Sequence, residues 1–174
     1  RLKAMTALKV FARQDNNGIY VSEGFLASME YPMNEDSLVR AAGRFRYICE
    51  KYLTDENKVY LSVIPDKNCF LARESGHPSM DYGVFEKRME ELADFAEYIP
   101  VSDLLERGDY YRTDTHWRQE RITDVAQRLL QAMGAAASQD YDIHTLDRDF
   151  YGVYHGQAAL PLAADSLQYV TGDA

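Results

Sequence analysis

The chain has 174 residues, 46% of them hydrophobic and 12% aromatic, enough for one domain with a real core. Its formal net charge is −9 and Lys and Arg form no cluster, which argues against nucleic acid as a partner and offers little to an anionic membrane surface. Thirteen tyrosines against one tryptophan and seven phenylalanines suit either packing at the core edge or the rim of a carbohydrate-binding cleft.

The chain opens "RLKAMTALKV", without a signal-peptide pattern, and no apolar run is long enough for a transmembrane helix. Any leader or anchor is therefore expected to have been removed or never to have existed. "RQDNNGIYVSEGFLA" reads as a polar turn at Asn16, Asn17 and Gly18, a short strand at Ile19, Tyr20 and Val21, and a second turn. From Asn34 the period changes: Leu38, Ala42, Phe45, Cys49 and Tyr52 mark one face of a helix. Asn34 is its expected cap, with Glu35 and Asp36 in the first turn.

"KVYLSVIPDKN" predicts a strand over 58–64 that Pro65 stops, apolar on both sides as in the middle of an α/β sheet. A long polar loop follows, the kind that carries function at strand ends. A second helix is predicted over 81–97, with Phe85, Met89, Leu92 and Phe95 or Ala96 inward. "YIPVSDLLERG" reads as a short strand entering a short helix, capped by Ser102 and ended by Gly108. A third helix is predicted over 118–133 on Ile122, Val125, Leu129 and Met133, with Gly134 ending it. The remainder, 141–174, is strand-like and broken by Gly152, Gly156 and Pro161.

There is no internal repeat and no low-complexity linker. Alternating helices and strands signify one layered α/β domain over 1–174 with parallel strands. Only two or three strands are clear and no helix closes the chain, so the sheet reads as unfinished. Cys49 falls on an apolar helix face and Cys69 after a strand; they could pair, but two buried thiols are expected, and neither has CxxC spacing.

The densest chemistry lies in "DYYRTDTHWRQE", residues 109–120, around the single tryptophan. One reading makes Asp114 or Thr115 the cap of a helix starting near Trp117, which packs at the corner while His116 is incidental. The other makes Asp114 the orienter of His116, whose second ring nitrogen takes a proton from a serine. Residues i and i+2 diverge in a helix and share a side in an extended or turn backbone, so this reading requires the pair to lie just before the helix.

"YYRTDTHWRQE" resembles the hallmark of the DHHW family of bacterial surface proteins and of the periplasmic alginate O-acetyltransferases, both SGNH-hydrolase-like. "NNGIYVSEGFL", "VYLSVIPDKNCF", and "DFYGVYHGQAAL" followed by "DSLQYV" resemble further family blocks in the same order, so the likeness covers most of the chain. Thr115 stands where the family often has His, and Arg118, Gln119 and Glu120 stand where it usually has Thr and a Gly-Ala helix start. The family's nucleophilic serine lies well downstream of the Asp-x-His segment, whereas here 58 residues follow His116 and none is a serine in that setting. Ser62 lies inside a strand and Ser102 begins a helix. Ser166, in "AADSLQYV", has no flanking glycine for an exposed nucleophile turn.

The resemblance implies an SGNH- or flavodoxin-like three-layer α/β sandwich with a mostly parallel sheet, its C-terminal part missing. It implies an extracytoplasmic bacterial protein, secreted, periplasmic or anchored at the surface, that is a serine-dependent O-acetyltransferase or esterase acting on a glycan. Asp114 and His116 would be catalytic, with the serine outside the chain and little turnover by the chain alone. Tyr111, Arg112 and Trp117 would bind a sugar or brace the pair. Lys67, at the carboxyl end of the clearest strand, would contact substrate or be an exposed loop lysine. A glycan and an acyl donor are the expected partners, with a membrane anchor or membrane-bound acyl-transfer partner outside the chain. No cofactor is called for. A metal site on Asp114, His116, His144 and His155 matches no standard ligand spacing. The alternative is a non-catalytic surface or binding module that keeps the fold.

Overall fold

A computed structural model of the chain describes residues 2–9, 13–136 and 140–172. It begins with a short helix, α1 (Leu2–Lys9). The first core element is a hairpin, β1 (Ile19–Ser22) and β2 (Phe25–Ser28), antiparallel with Ser22 opposite Phe25. Its two turn residues, Glu23 and Gly24, have φ of +48° and +81°, the left-handed pair whose twist matches that of the strands it joins.

Both faces of this hairpin are covered. Ile19 and Leu26 pack on Ala158 and Leu160 of a later helix, α6 (Val153–Ala158), and its C-terminal extension. On the opposite face Tyr20 and Ala27 pack on Leu71 of α3 (Asn68–Ser75). Helix, sheet and helix thus form three layers, and the chain's first strands and its last helix are neighbours.

Between them runs α2 (Glu35–Tyr52), capped as predicted by Asn34, whose side chain accepts the Ser37 N–H at 3.0 Å. It packs against α4 (Tyr82–Leu92), capped by Asp81 and tied back by an Arg88–Glu35 ion pair of 2.7 Å. The expected parallel pairing is formed by β3 (Tyr60–Leu61) and β4 (Glu97–Tyr98). Backbone bonds from Glu97 N–H to Val59 and from Ile99 N–H to Leu61 set it in register. Beneath this pair Ile99, Val101, Leu105 and Val125 make the largest apolar cluster, joined by Tyr60, Phe70 and Trp117. The remaining ladder is an antiparallel hairpin of β5 (Asp142–Phe150) and β6 (Asp165–Thr171), with a register shift between Thr145 and Asp149.

Several boundaries moved. The strand expected over 58–64 is half-buried and pairs only at Tyr60–Leu61. The second helix stops at Leu92, and residues 97–98 join the sheet. Helix α5 runs Thr123–Ala132, preceded by a separate tight turn at Gln119–Arg121. Ser102 caps nothing; its hydroxyl donates to Glu86 at 3.0 Å. The polar loop after Pro65 contains α3, ended by Gly76 at φ +71°, and the strand-like tail contains α6. The end of that tail, residues 173–174, lies outside the described residues. Cys49 and Cys69 are free and half-buried, and burial pushes the Cys69 thiol up to about 12. Among the described residues no helix is long and apolar enough to cross a membrane.

Candidate active site

The motif is held in a chain reversal. Tyr110 and Trp117 form an antiparallel bridge, the Tyr111 N–H donates to the His116 carbonyl at 3.2 Å, and the Arg118 N–H donates to the Asp109 carbonyl at 2.7 Å. Residues 112–115 form its tip, and α5 begins only at Thr123. Asp114 and His116 therefore stand on non-helical backbone, where side chains two apart can meet. They do: the His116 ring nitrogen Nδ1 lies 2.5 Å from Asp114 Oδ1. The same oxygen accepts the His116 backbone N–H at 3.0 Å, and Oδ2 accepts the N–H of Val153, the first residue of α6, at 2.8 Å. The helix-cap reading does not hold: no helix starts at Trp117 and α5 has no side-chain cap, and Asp114 instead orients the imidazole and accepts the first N–H of α6, 39 residues away.

Burial pushes the Asp114 carboxyl up, but the bonds from the His116 N–H, the Val153 N–H and the His116 ring outweigh it, leaving the carboxyl below its ordinary range. As an anion it can only accept, so Nδ1 is the donor in this bond and Nε2 is the ring nitrogen that faces outward. The carboxylate side chain is 6% exposed and the imidazole 75%. Among the described residues Nε2 has no hydrogen-bond partner. A fixed anion behind an accessible basic nitrogen can take a proton from a hydroxyl.

The neighbours named from sequence take supporting positions. Tyr111 is buried edge-on against Phe150, with ring centroids 5.0 Å apart. Trp117 packs into the cluster of Ile99, Val101, Leu105 and Val125. Arg112 donates from Nη2 to the Ala164 carbonyl at 2.5 Å and pairs with Asp165 at 3.4 Å. Lys67 is 1% exposed, and its Nζ donates to the carbonyls of Tyr111 at 2.6 Å, Asp114 at 2.7 Å and Arg112 at 3.2 Å. Burial pushes its ammonium down to about 7, against the opposing pull of Asp165, Asp114 and Asp66. An exposed loop lysine it is not.

Two further residues shape this geometry that the sequence did not mark as site residues. Asp165 is buried, its Oδ1 accepting the Arg112 N–H at 2.8 Å and its Oδ2 the Thr113 N–H at 2.8 Å and the Thr113 hydroxyl at 2.6 Å. In "AADSLQYV" the informative residue is the aspartate; Ser166 beside it is exposed on β6. Gly152 lies against Asp114: a Cβ there would stand 2.2 Å from the Asp114 Cβ and 2.5 Å from its Cα. The sequence signal was a glycine in an otherwise strand-like run, a mark of close backbone approach.

Ser62 donates to the Ile99 carbonyl at 2.7 Å, and neither Ser102 nor Ser166 bonds His116. His144 stacks on Tyr169 and His155 lies over Tyr151, and neither ring is bonded to Asp114 or His116 among the described residues. Among the described residues no group of three His, Cys, Asp or Glu is placed to hold a metal ion.

No family model and no curated protein matches the chain. Solved structures match its fold. A DHHW family protein from Eubacterium siraeum is similar over 91% of this chain and 56% of its own, with a TM-score of 0.71 and 13% identity. Bacillus cereus PatB1 is similar over 89% of this chain and 58% of its own, with a TM-score of 0.62 and 16% identity. PatB1 bearing a sulfonyl adduct gives 0.63, 15% identity and coverage of 89% and 56%. At such identities the likeness is one of fold: a mixed α/β, SGNH-like architecture, of which this chain spans a little over half the length of each neighbour.

Proposed function

We propose that Asp114 and His116 are the orienting acid and the general base of a serine-dependent O-acyltransferase or esterase acting on a cell-surface or exported glycan. The observation that carries this reading is the 2.5 Å bond between a buried carboxylate and an exposed imidazole with Nε2 free. The nucleophile is a serine hydroxyl outside the described residues. Its proton passes to Nε2 as its oxygen attacks the donor's acyl carbonyl, Asp114 stabilises the resulting imidazolium, and the proton leaves with the departing group. A sugar hydroxyl, or water in an esterase, then gives its proton to Nε2 and attacks the acyl carbonyl, and Nε2 passes that proton to the departing serine oxygen, which regenerates the free hydroxyl. A sulfonyl adduct forms when a protein nucleophile attacks an electrophilic sulfonyl group, so the adduct on PatB1 fits a reactive nucleophile in this fold. With a glycan acceptor, the reading extends to a protein outside the cytoplasm of a bacterium, supplied with acyl groups by a soluble donor or a membrane-bound partner.

The test is acetyl transfer from p-nitrophenyl acetate to glycan oligosaccharides, and its hydrolysis, by the full-length protein. His116→Gln and Asp114→Asn should each lower the rate by about 10³-fold or more while leaving the melting temperature within a few degrees. Unchanged rates in both variants refute the reading. Absence of turnover in the wild-type protein with any acceptor, together with absence of the serine from the full-length protein, would favour the second reading, a non-catalytic surface module.

A further inference from the structure

We propose that Lys67 is a positioning residue for the Asp114–His116 pair: it gathers three carbonyls of the motif reversal on one ammonium and so sets the backbone on which both side chains stand. This rests on the proposed catalytic reading of that pair.

The Arg112 carbonyl takes the Leu26 N–H at 2.8 Å, the Thr113 carbonyl takes the His155 N–H at 3.2 Å, and the His116 carbonyl takes the Tyr111 N–H at 3.2 Å. Among the described residues the carbonyls of Tyr111 and Asp114 have Nζ of Lys67 instead, at 2.6 and 2.7 Å. Both residues are buried, and a buried carbonyl left unmet is expensive. Below about pH 7, where Lys67 is an ammonium, it has three hydrogens and no lone pair; with Arg112 at 3.2 Å all three are spent, and none is left for a substrate.

The two principal acceptors bracket the tip. One carbonyl belongs to the residue whose N–H closes the reversal on His116, the other to Asp114 itself. A single Nζ therefore fixes how far the chain turns between them. That turn decides whether the carboxylate of Asp114 and the imidazole of His116 fall on one side. The stem is anchored at a helix start: Lys67 directly precedes α3, six residues after β3, and Asn68 beside it is fully buried. The rings of Tyr154 and Phe25 stand 5.3 and 5.7 Å from Nζ. Three converging carbonyls suit a compact ammonium with rotatable donors; the planar fork of arginine does not fit them.

The readout is the pair of imidazole ¹⁵N shifts of His116 in the 174-residue chain, which report the nitrogen that carries the proton. The variants are Lys67→Met, Lys67→Gln and, as a control of lowered stability in a distant contact, Met89→Ala. The wild type and Met89→Ala should show the Nδ1–H form; folded Lys67→Met should lose that preference and Lys67→Gln should lose part of it. Wild-type shifts in a folded Lys67→Met overturn the proposal. Should Lys67→Met fail to fold, Lys67→Gln decides, and failure of both overturns positioning in favour of a purely structural lysine. A wild type without the Nδ1–H form refutes the pair itself, a result distinct from failure of the lysine's role.

Discussion

Replacing Gly152 by alanine tests whether the pair depends on the contact between the motif and α6. The added Cβ would sit 2.2 Å from the Asp114 Cβ, 2.4 Å from Oδ2 and 2.5 Å from Cα, where ordinary contacts begin at 3.4 Å. Two of these neighbours belong to the rigid part of the residue, so the start of α6 and the motif tip must separate by about 1 Å, an overpacking of the kind that costs about 1–3 kcal/mol. The separation also stretches the 2.8 Å bond from Val153 N–H to Asp114 and the 2.9 Å bond from Gly152 N–H to the Thr113 hydroxyl. Each is worth about 1 kcal/mol. Urea unfolding should therefore show a loss of about 2–4 kcal/mol, and thermal unfolding a drop of about 5–15 °C for a chain of this size. The control is Gly156→Ala, four residues on and inside α6, where a Cβ meets nothing within 4 Å. That change should be neutral or stabilising by up to about 1 kcal/mol. Equal behaviour of the two variants would refute the close approach, and with it the account of how Asp114 is seated.

Asp165→Ala removes one carboxylate and strands the buried N–H and hydroxyl of Thr113, so it should cost about 2–4 kcal/mol in urea unfolding. Ser166→Ala should stay within about 0.5 kcal/mol of wild type; the reverse order would make Ser166 the residue that matters there. Lys67 adds a pH signature. Its folded value, about 7, lies below the ordinary 10.5, so between these limits the unfolded chain holds a proton that the native chain has released. The cost of burying the ammonium is complete below pH 7, shrinks through that window and is gone above it, so this group's contribution to stability rises with pH. The difference in urea midpoint between wild type and Lys67→Met should accordingly change across the window, and a flat difference would show that Lys67 titrates at its ordinary value.

Local signals were the legible part of the fold. Asn34 with Glu35 and Asp36 announced α2, and "NNG" followed by Ile-Tyr-Val announced β1, because caps and turns are encoded within a few residues. The misread elements depend on distant partners. "NCFLARES" is helical because Leu71 finds Tyr20 and Ala27, and "VYHGQA" because Ala158 finds Ile19 and Leu26. The site divided in the same way. The spacing of Asp114 and His116 shows that the two can meet only off a helix. The residues that keep them there, Lys67, Gly152 and Asp165, act from 38 to 51 residues away from Asp114, through carbonyls, a missing Cβ and backbone N–H groups. Such contacts leave no periodic trace.

The most direct test of the central claim is the rate at which a sulfonyl fluoride labels the full-length protein, read by mass spectrometry. Attack by an activated serine displaces fluoride and leaves one sulfonyl group on oxygen, with the serine's proton taken up by the base. The account predicts a single labelled serine, fast labelling in the wild type, and loss of that labelling in both His116→Gln and Asp114→Asn at unchanged melting temperature. Labelling at the same rate in His116→Gln, or none in the wild type, would contradict it.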